Sequence, residues 1–328
     1  MRITYRPAGF KTSDPALQTG ERSLTFTRAE LVHAVVTLGR ANVTDVLQFG
    51  DLSLVELVWR TAMLLANVQQ RADGSLEWSP ACRGLDPSER VAVSYFTGMT
   101  FAKLMSGRLL DVPWLLHLDV YRSLLSPTFQ AGDQRPDLVG QNVAGQWVAL
   151  EAKGGAGNLK ATGWARAQAQ LANLRTVQGV PVQQRVTAVT FQRRRAKWPC
   201  LHVEFRDPPA GERGFDLDVS PQQLRFDYYS RIRQFMGEEL SVLPEVVSAS
   251  GSRVVGRYVP EVDFFLGLAE EIVRSPAADA SAPAYAEIAA AVRRKARGPA
   301  DSEWTAVGID GVAVALGPSW ERRFAPET

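Results

Sequence analysis

Two acidic residues and one lysine carry the most chemical information in this chain. Asp137 follows Pro136 at the head of a short apolar run, Leu138-Val139-Gly140, and Glu151 and Lys153 close a second run over 146–153. Strand side chains alternate between faces. Glu151 and Lys153 therefore share one face with Trp147 and Ala149, and Val148, Leu150 and Ala152 take the other. A carboxylate and an amine side by side on a buried strand face serve no packing purpose. Aimed together at a cation and a phosphate, they are explained. Residues 142–145, Asn-Val-Ala-Gly, read as a turn, so the two runs form a hairpin that brings Asp137 towards Glu151. Two carboxylates on one magnesium ion would neutralise a phosphodiester, position an attacking water and stabilise the leaving oxygen. The competing reading is an acid at a hairpin mouth beside a cross-strand ion pair.

The string Arg135-Pro136-Asp137-Leu138-Val139-Gly140, then ten residues, then Glu151-Ala152-Lys153 resembles the PD-(D/E)XK nuclease superfamily, the restriction-endonuclease-like fold, over about residues 86–208. The resemblance implies an α/β fold: a mixed sheet flanked by helices, here with helical N- and C-terminal extensions. It implies that Asp137 and Glu151 are side-chain ligands of Mg2+ or Mn2+, with the backbone carbonyl of Ala152 as a third. Lys153 would orient or activate the water and stabilise charge in the transition state. Many members add a carboxylate from the helix before the hairpin. Glu89 is the candidate here, against its simpler reading as a complement to the helix dipole, and Asp111 and Asp119 are weaker candidates. Members also carry a glutamine on the helix after the lysine. Gln168 shares the helical stripe of Trp164 and Leu171, and Gln170 is offset from it. The implied activity is metal-dependent hydrolysis of nucleic acid, DNA before RNA, in defence, repair or restriction. The alternative is a catalytically silent nuclease fold that binds nucleic acid or a protein partner. Double-strand cutting by one site often needs a dimer or partner subunits, though no dimer signature is present.

The charge pattern agrees with a polyanionic partner. The chain of 328 residues carries a net charge of +2, yet residues 152–203 hold nine basic side chains and no acidic one. Such an island attracts phosphates. Lys160, Arg166, Arg193, Arg194, Arg195 and Lys197 are the candidate contacts to nucleic acid, the last four interleaved with Phe191 and Trp198. A solvated helix and loop face is the bland alternative.

Composition narrows the rest. Three histidines and two distant cysteines leave no zinc site or disulfide framework, so a metal here needs oxygen ligands. His33, His117, His202 and both cysteines read as packing. No Walker phosphate loop, apolar signal core or membrane-length apolar stretch occurs, which predicts a soluble, cytoplasmic protein.

The elements that must position these residues follow from periodicity and caps. Residues 1–25 read as irregular and 27–70 as helical, making 1–85 a helical N-terminal region. Asp86-Pro87-Ser88-Glu89 starts a helix that runs to about 110, before Pro113. No element type is assigned to 114–133. Strands are predicted over 136–141, 146–153, 185–191 and 201–205, with a helix over 159–177. Residues 209–328 read as mostly helical, around 220–240, 261–273 and 283–296, with a linker over 275–283. A late hairpin, 305–309 and 312–316, turns at Asp310-Gly311.

Overall fold

The computed structural model describes residues 1–38, 51–125, 134–194, 199–208, 214–237, 240–247, 253–274 and 303–324. The fold is mixed α/β, built on a large mixed sheet flanked by helices. Its seven strands are β1 (Arg2–Ala8), β2 (Arg22–Thr25), β5 (Trp114–His117), β6 (Leu138–Gln141), β7 (Trp147–Gly155), β10 (Gln184–Arg194) and β11 (Pro199–Arg206). They lie in the order β2-β1-β11-β10-β7-β6-β5. The pairs β1–β11 and β7–β10 are parallel and the others antiparallel. A two-stranded ribbon, β3 (Val68–Gln70) with β4 (Leu76–Trp78), and a small sheet, β12 (Phe215–Leu217), β8 (Leu174–Val177) and β9 (Val180–Pro181), lie outside it.

One face of the sheet packs under helix α4 (Pro87–Leu109). Val148, Leu150, Ala152, Val186, Ala188 and Val203 join Phe101, Ala102 and Met105 in one buried cluster. Asp86 caps α4, accepting from the backbone N–H of Ser88 at 2.7 Å and of Glu89 at 3.2 Å, with Pro87 at the first helical position as the sequence predicts. The helix touches the sheet by backbone. A Cβ on Gly154 would stand 1.7 Å from the Ser94 carbonyl oxygen, and one on Gly98 would stand 2.8 Å from the Gly154 nitrogen. This contact falls one residue beyond Lys153 and fixes the height of α4 over the end of β7.

The other face is covered by α5 (Ala161–Ala172), α6 (Pro221–Met236) and a second sheet. Trp147 and Ala149 of β7 lie here, in one buried cluster with Leu171, Leu174, Tyr228 and Tyr229. Helices α1 (Arg28–Thr37) and α2 (Asp51–Asn67) pack together beside α4, and α3 (Pro80–Gly84) leads into it.

Two expectations are corrected. Residues 1–25 are not irregular: β1 and β2 complete the main sheet, and Ile3 and Tyr5 are buried in the same core cluster as the apolar face of α4. β1 pairs with a strand about 200 positions away, which no local pattern announces. The described residues of 209–328 are not mostly helical. They hold α6 and a five-stranded antiparallel sheet of β13 (Ser241–Val247), β14 (Arg253–Val259), β15 (Phe264–Ala269), β17 (Val312–Leu316) and β16 (Thr305–Val307). The predicted helix over 261–273 is mainly β15, followed by the short α7 (Glu270–Arg274). β15 is buried at every position, and a continuous apolar run does not distinguish strand from helix. A short helix, α8 (Pro318–Phe324), ends the described chain. The expected helix over 283–296 and the linker over 275–283 lie outside the described residues. Among the described residues no helix is long and apolar enough to cross a membrane.

The predicted late hairpin forms, but its tip is buried. Asp310 accepts from His33 Nε2 at 3.0 Å and from the Tyr228 hydroxyl, while its carbonyl accepts from the Tyr229 hydroxyl at 2.6 Å. Lys103, fully buried on α4, donates to the Pro113 carbonyl at 2.7 Å and to the Tyr228 hydroxyl at 3.2 Å. Burial drives the Lys103 ammonium down to about 8 against the opposing pull of Asp310. His33, Lys103 and Asp310 thus tie α1, α4 and the second sheet together.

Two outcomes are expected from chemical denaturation. Gly154→Ala drives a methyl group into the backbone of α4 and lowers stability by about 1–3 kcal/mol or more. Asp310→Asn removes the counter-charge of a buried ammonium and costs roughly 3–5 kcal/mol at neutral pH. An unshifted midpoint in either variant contradicts the contact described.

Candidate active site

The β6–β7 pairing ends at Leu138 opposite Leu150, and the acids take over where it stops. The backbone N–H of Asp137 donates to Glu151 Oε2 at 3.1 Å. In return, Asp137 Oδ2 accepts from the backbone N–H of Ala152 at 3.0 Å. Each carboxylate is thus held by the other's strand. Lys153 Nζ stands in direct ion-pair contact with Glu151 Oε1 and 3.9 Å from Asp137 Oδ2. The structure therefore brings Asp137, Glu151 and Lys153 together. As periodicity predicts, the Glu151 face is opposite that of Val148, Leu150 and Ala152.

Burial sets the electrostatics. The Glu151 side chain is 0% exposed. Desolvation and then the nearby Asp137 push its carboxyl up to about 8, against the opposing pull of Lys153. Glu151 Oε1 lacks a well-formed hydrogen bond, as does Thr187 Oγ1, its neighbour on β10, although both are buried. Lys153 is 33% exposed and lies on the open side of the acids.

These residues fit a hard cation. Two carboxylates meet at one mouth, and the deeper one is poorly solvated as an anion. Ala152 turns its N–H towards Asp137, and a strand residue's N–H and C=O point to the same edge, so its carbonyl opens onto that mouth. Among the described residues no three His, Cys, Asp or Glu side chains form a metal-sized cluster. A cation here would therefore rely on two carboxylates, a carbonyl and water, a donor set that suits magnesium.

The remaining candidates fare unevenly. Glu89 is exposed and closes the capping box of its own helix, its Oε2 accepting from the Asp86 N–H at 3.2 Å. Its simpler reading is the one the geometry supports. Gln168 is exposed, because the buried arc of α5 runs through Trp164, Ala167 and Leu171. Gln170 is the glutamine that turns inward, donating to the Arg135 carbonyl at 3.1 Å, two residues before Asp137. Lys160 and Arg166 are exposed at the start and along the outer side of α5. Arg193 is not a free cation, since it pairs with Glu21 at 2.7 Å. Arg194 ends β10, and Arg195 and Lys197 lie outside the described residues. Asp216 likewise meets Arg175 at 2.5 Å, so the basic island is weaker in three dimensions than along the chain.

Two residues at the rim, His117 and Tyr95, were not read from the sequence as part of a site, and the weaker candidate Asp119 joins them there. His117 ends β5, and the next residue, Leu118, donates its N–H to the Asp137 carbonyl at 2.9 Å. Its Nε2 shares a 3.3 Å hydrogen bond with the Tyr95 hydroxyl of α4. Burial holds the His117 ring below its usual range despite Asp137. Burial of the hydroxyl end and then Asp137 raise the Tyr95 phenol to about 12. Asp119, bound to Arg135, adds its charge to both. The missed signal is the register of β5, a segment of unassigned type in sequence.

Compared with known proteins, the chain matches no family model, no curated protein and no solved structure.

Glu151 links stability to pH. The unfolded carboxyl titrates near 4.5 and the folded one near 8. Between these values the unfolded state loses its proton first, so the metal-free fold weakens as pH rises, and the full cost is present above the folded value. Glu151→Gln is expected to melt several degrees above the unsubstituted protein at pH 8 without metal, with the gap closing towards pH 4. Equal melting temperatures at pH 8 would refute the buried-anion description.

Proposed function

We propose that the chain is a divalent-metal-dependent nuclease with a restriction-endonuclease-like core, hydrolysing phosphodiester bonds of nucleic acid, DNA before RNA. The observation that carries this reading is the reciprocal bonding of Asp137 and Glu151 at the end of the β6–β7 pairing, with Lys153 against Glu151. The element order supports it. A helix (α4) precedes an antiparallel hairpin (β6 and β7), and a helix (α5) and a valine-bearing strand (β10) follow, as the resemblance implies.

Asp137, Glu151 and the Ala152 carbonyl would hold the ion. When bound, it would supply Lewis-acid stabilisation of the phosphate and its leaving oxygen. The residues do the rest. Buried Glu151, destabilised as a lone anion, gains most from a neighbouring positive charge. Lys153 stands on the open side, where its ammonium meets a phosphate oxygen or the incoming water and stabilises charge as it develops. Gln170 and Arg135 brace the chain just before Asp137, and exposed Lys160 and Arg166 offer phosphate contacts on the helix that follows.

The purified protein is expected to cut plasmid, linear duplex, single-stranded DNA or RNA with Mg2+ or Mn2+ and not with EDTA. Asp137→Ala, Glu151→Ala and Lys153→Ala are each expected to slow cleavage by roughly a hundredfold or more. Cleavage that survives all three substitutions rejects the site. Binding without cleavage in any metal assigns the chain to nuclease-fold binding modules instead.

A further inference from the structure

An exposed aromatic surface runs up to the rim of the acid pair. Trp59 of α2 is 50% exposed and Tyr95 of α4 is 41% exposed. Both rings are held edge-on against Phe96, which lies between them. The Trp59–Phe96 centroids are 5.4 Å apart at 87°, and the Tyr95–Phe96 centroids 5.5 Å apart at 71°. Arg60 lies over Phe96 at 5.2 Å, and its Nε donates to Glu56 at 3.1 Å, which stiffens the platform from behind. The hydroxyl of Tyr95 is pinned by His117. From there one backbone hydrogen bond, Leu118 to the Asp137 carbonyl, reaches the first acid. The charges of Asp137 and Glu151 are both felt at the Tyr95 phenol.

We infer that Trp59 and Tyr95 form a stacking platform for unpaired bases of the nucleic acid whose backbone enters the Asp137–Glu151–Lys153 site, which makes single-stranded or frayed nucleic acid the preferred substrate. This rests on the nuclease reading of that site. Three features select this occupant over a protein. The surface is built on ring faces locked in orientation, and such faces bind bases whatever their sequence. It adjoins a site whose chemistry addresses phosphates, so one strand reaches both. Paired bases already stack on each other, so only a strand that is open, flapped or frayed can use the rings. Exposed Val55 and Val91, on the same two helices, would meet the edges of those bases as apolar walls.

The test uses the full chain in EDTA, so that binding is read apart from cutting. A fluorescent thymidine oligonucleotide is expected to bind at least tenfold more tightly than a blunt duplex of equal length. Trp59→Ala is expected to weaken the single-strand complex about tenfold, with Trp59→Phe restoring most of it and duplex binding unchanged. With Mg2+, Trp59→Ala should slow cutting of single strands and spare a blunt duplex. Equal affinity for the two substrates overturns the proposal, as does a Trp59→Ala protein that binds single strands like the parent. A self-association in sedimentation that disappears in Trp59→Ala also overturns it, because the surface then belongs to a second copy. Failure of the nuclease reading is a separate result: no cleavage in any metal, whatever the binding shows.

Discussion

The site depends on one carboxylate kept where water does not reach it. Glu151 stands on β7, an inner strand of the sheet, beside a second acid, and its only ion-pair contact among the described residues is Lys153. Such a group is costly to bury as an anion unless it is paired or bound to a cation. The arrangement persists because backbone bonds compensate: the Asp137 N–H faces Glu151 and the Ala152 N–H faces Asp137. The Ala152 N–H, which faces β6 and would otherwise continue the β6–β7 ladder, is given to a carboxylate instead. Sheet structure and site geometry are therefore the same set of hydrogen bonds.

The remaining architecture holds those strands still. Helix α4 seats on β7 through Gly98 and Gly154, without side chains between them. At its far end the buried Lys103 links α4 to Tyr228 and, through it, to Asp310 at the hairpin tip of the second sheet. The same helix carries Tyr95 to the rim beside His117. One long element thus sets the height of the acid-bearing strand β7, anchors the second sheet and presents a ring next to the acids. A shift of α4 would disturb all three at once.

Much of this was legible in the residues. The strand period separated Glu151 and Lys153 from Val148, Leu150 and Ala152, and their two faces do fill different cores. Asp86-Pro87 announced the start of α4, because capping is a local matter of one side chain and the next three amides. What failed were inferences about what lies across a contact. Glu89 was legible as an acid in a first turn, but whether it turns to its own cap or to a metal depends on how the helix docks. Gln168 and Gln170 differ by a small rotation of α5, which is set by how Trp164, Ala167 and Leu171 seat on the sheet. The charge of Arg193 was countable, yet its cancellation by Glu21 joins positions 172 residues apart.

Types and spacing alone therefore determined the chemistry on offer: two acids, an amine, the face they share and the turn that pairs their strands. These are properties of neighbours in sequence, fixed by backbone periodicity. Only the tertiary structure decided that β1 completes the sheet, that a run of six apolar residues becomes β15, and that His117, Tyr95 and Trp59 gather at the rim. Those outcomes turn on strand register and helix docking, where segments far apart along the chain exclude water together, and no local pattern encodes which segments will meet.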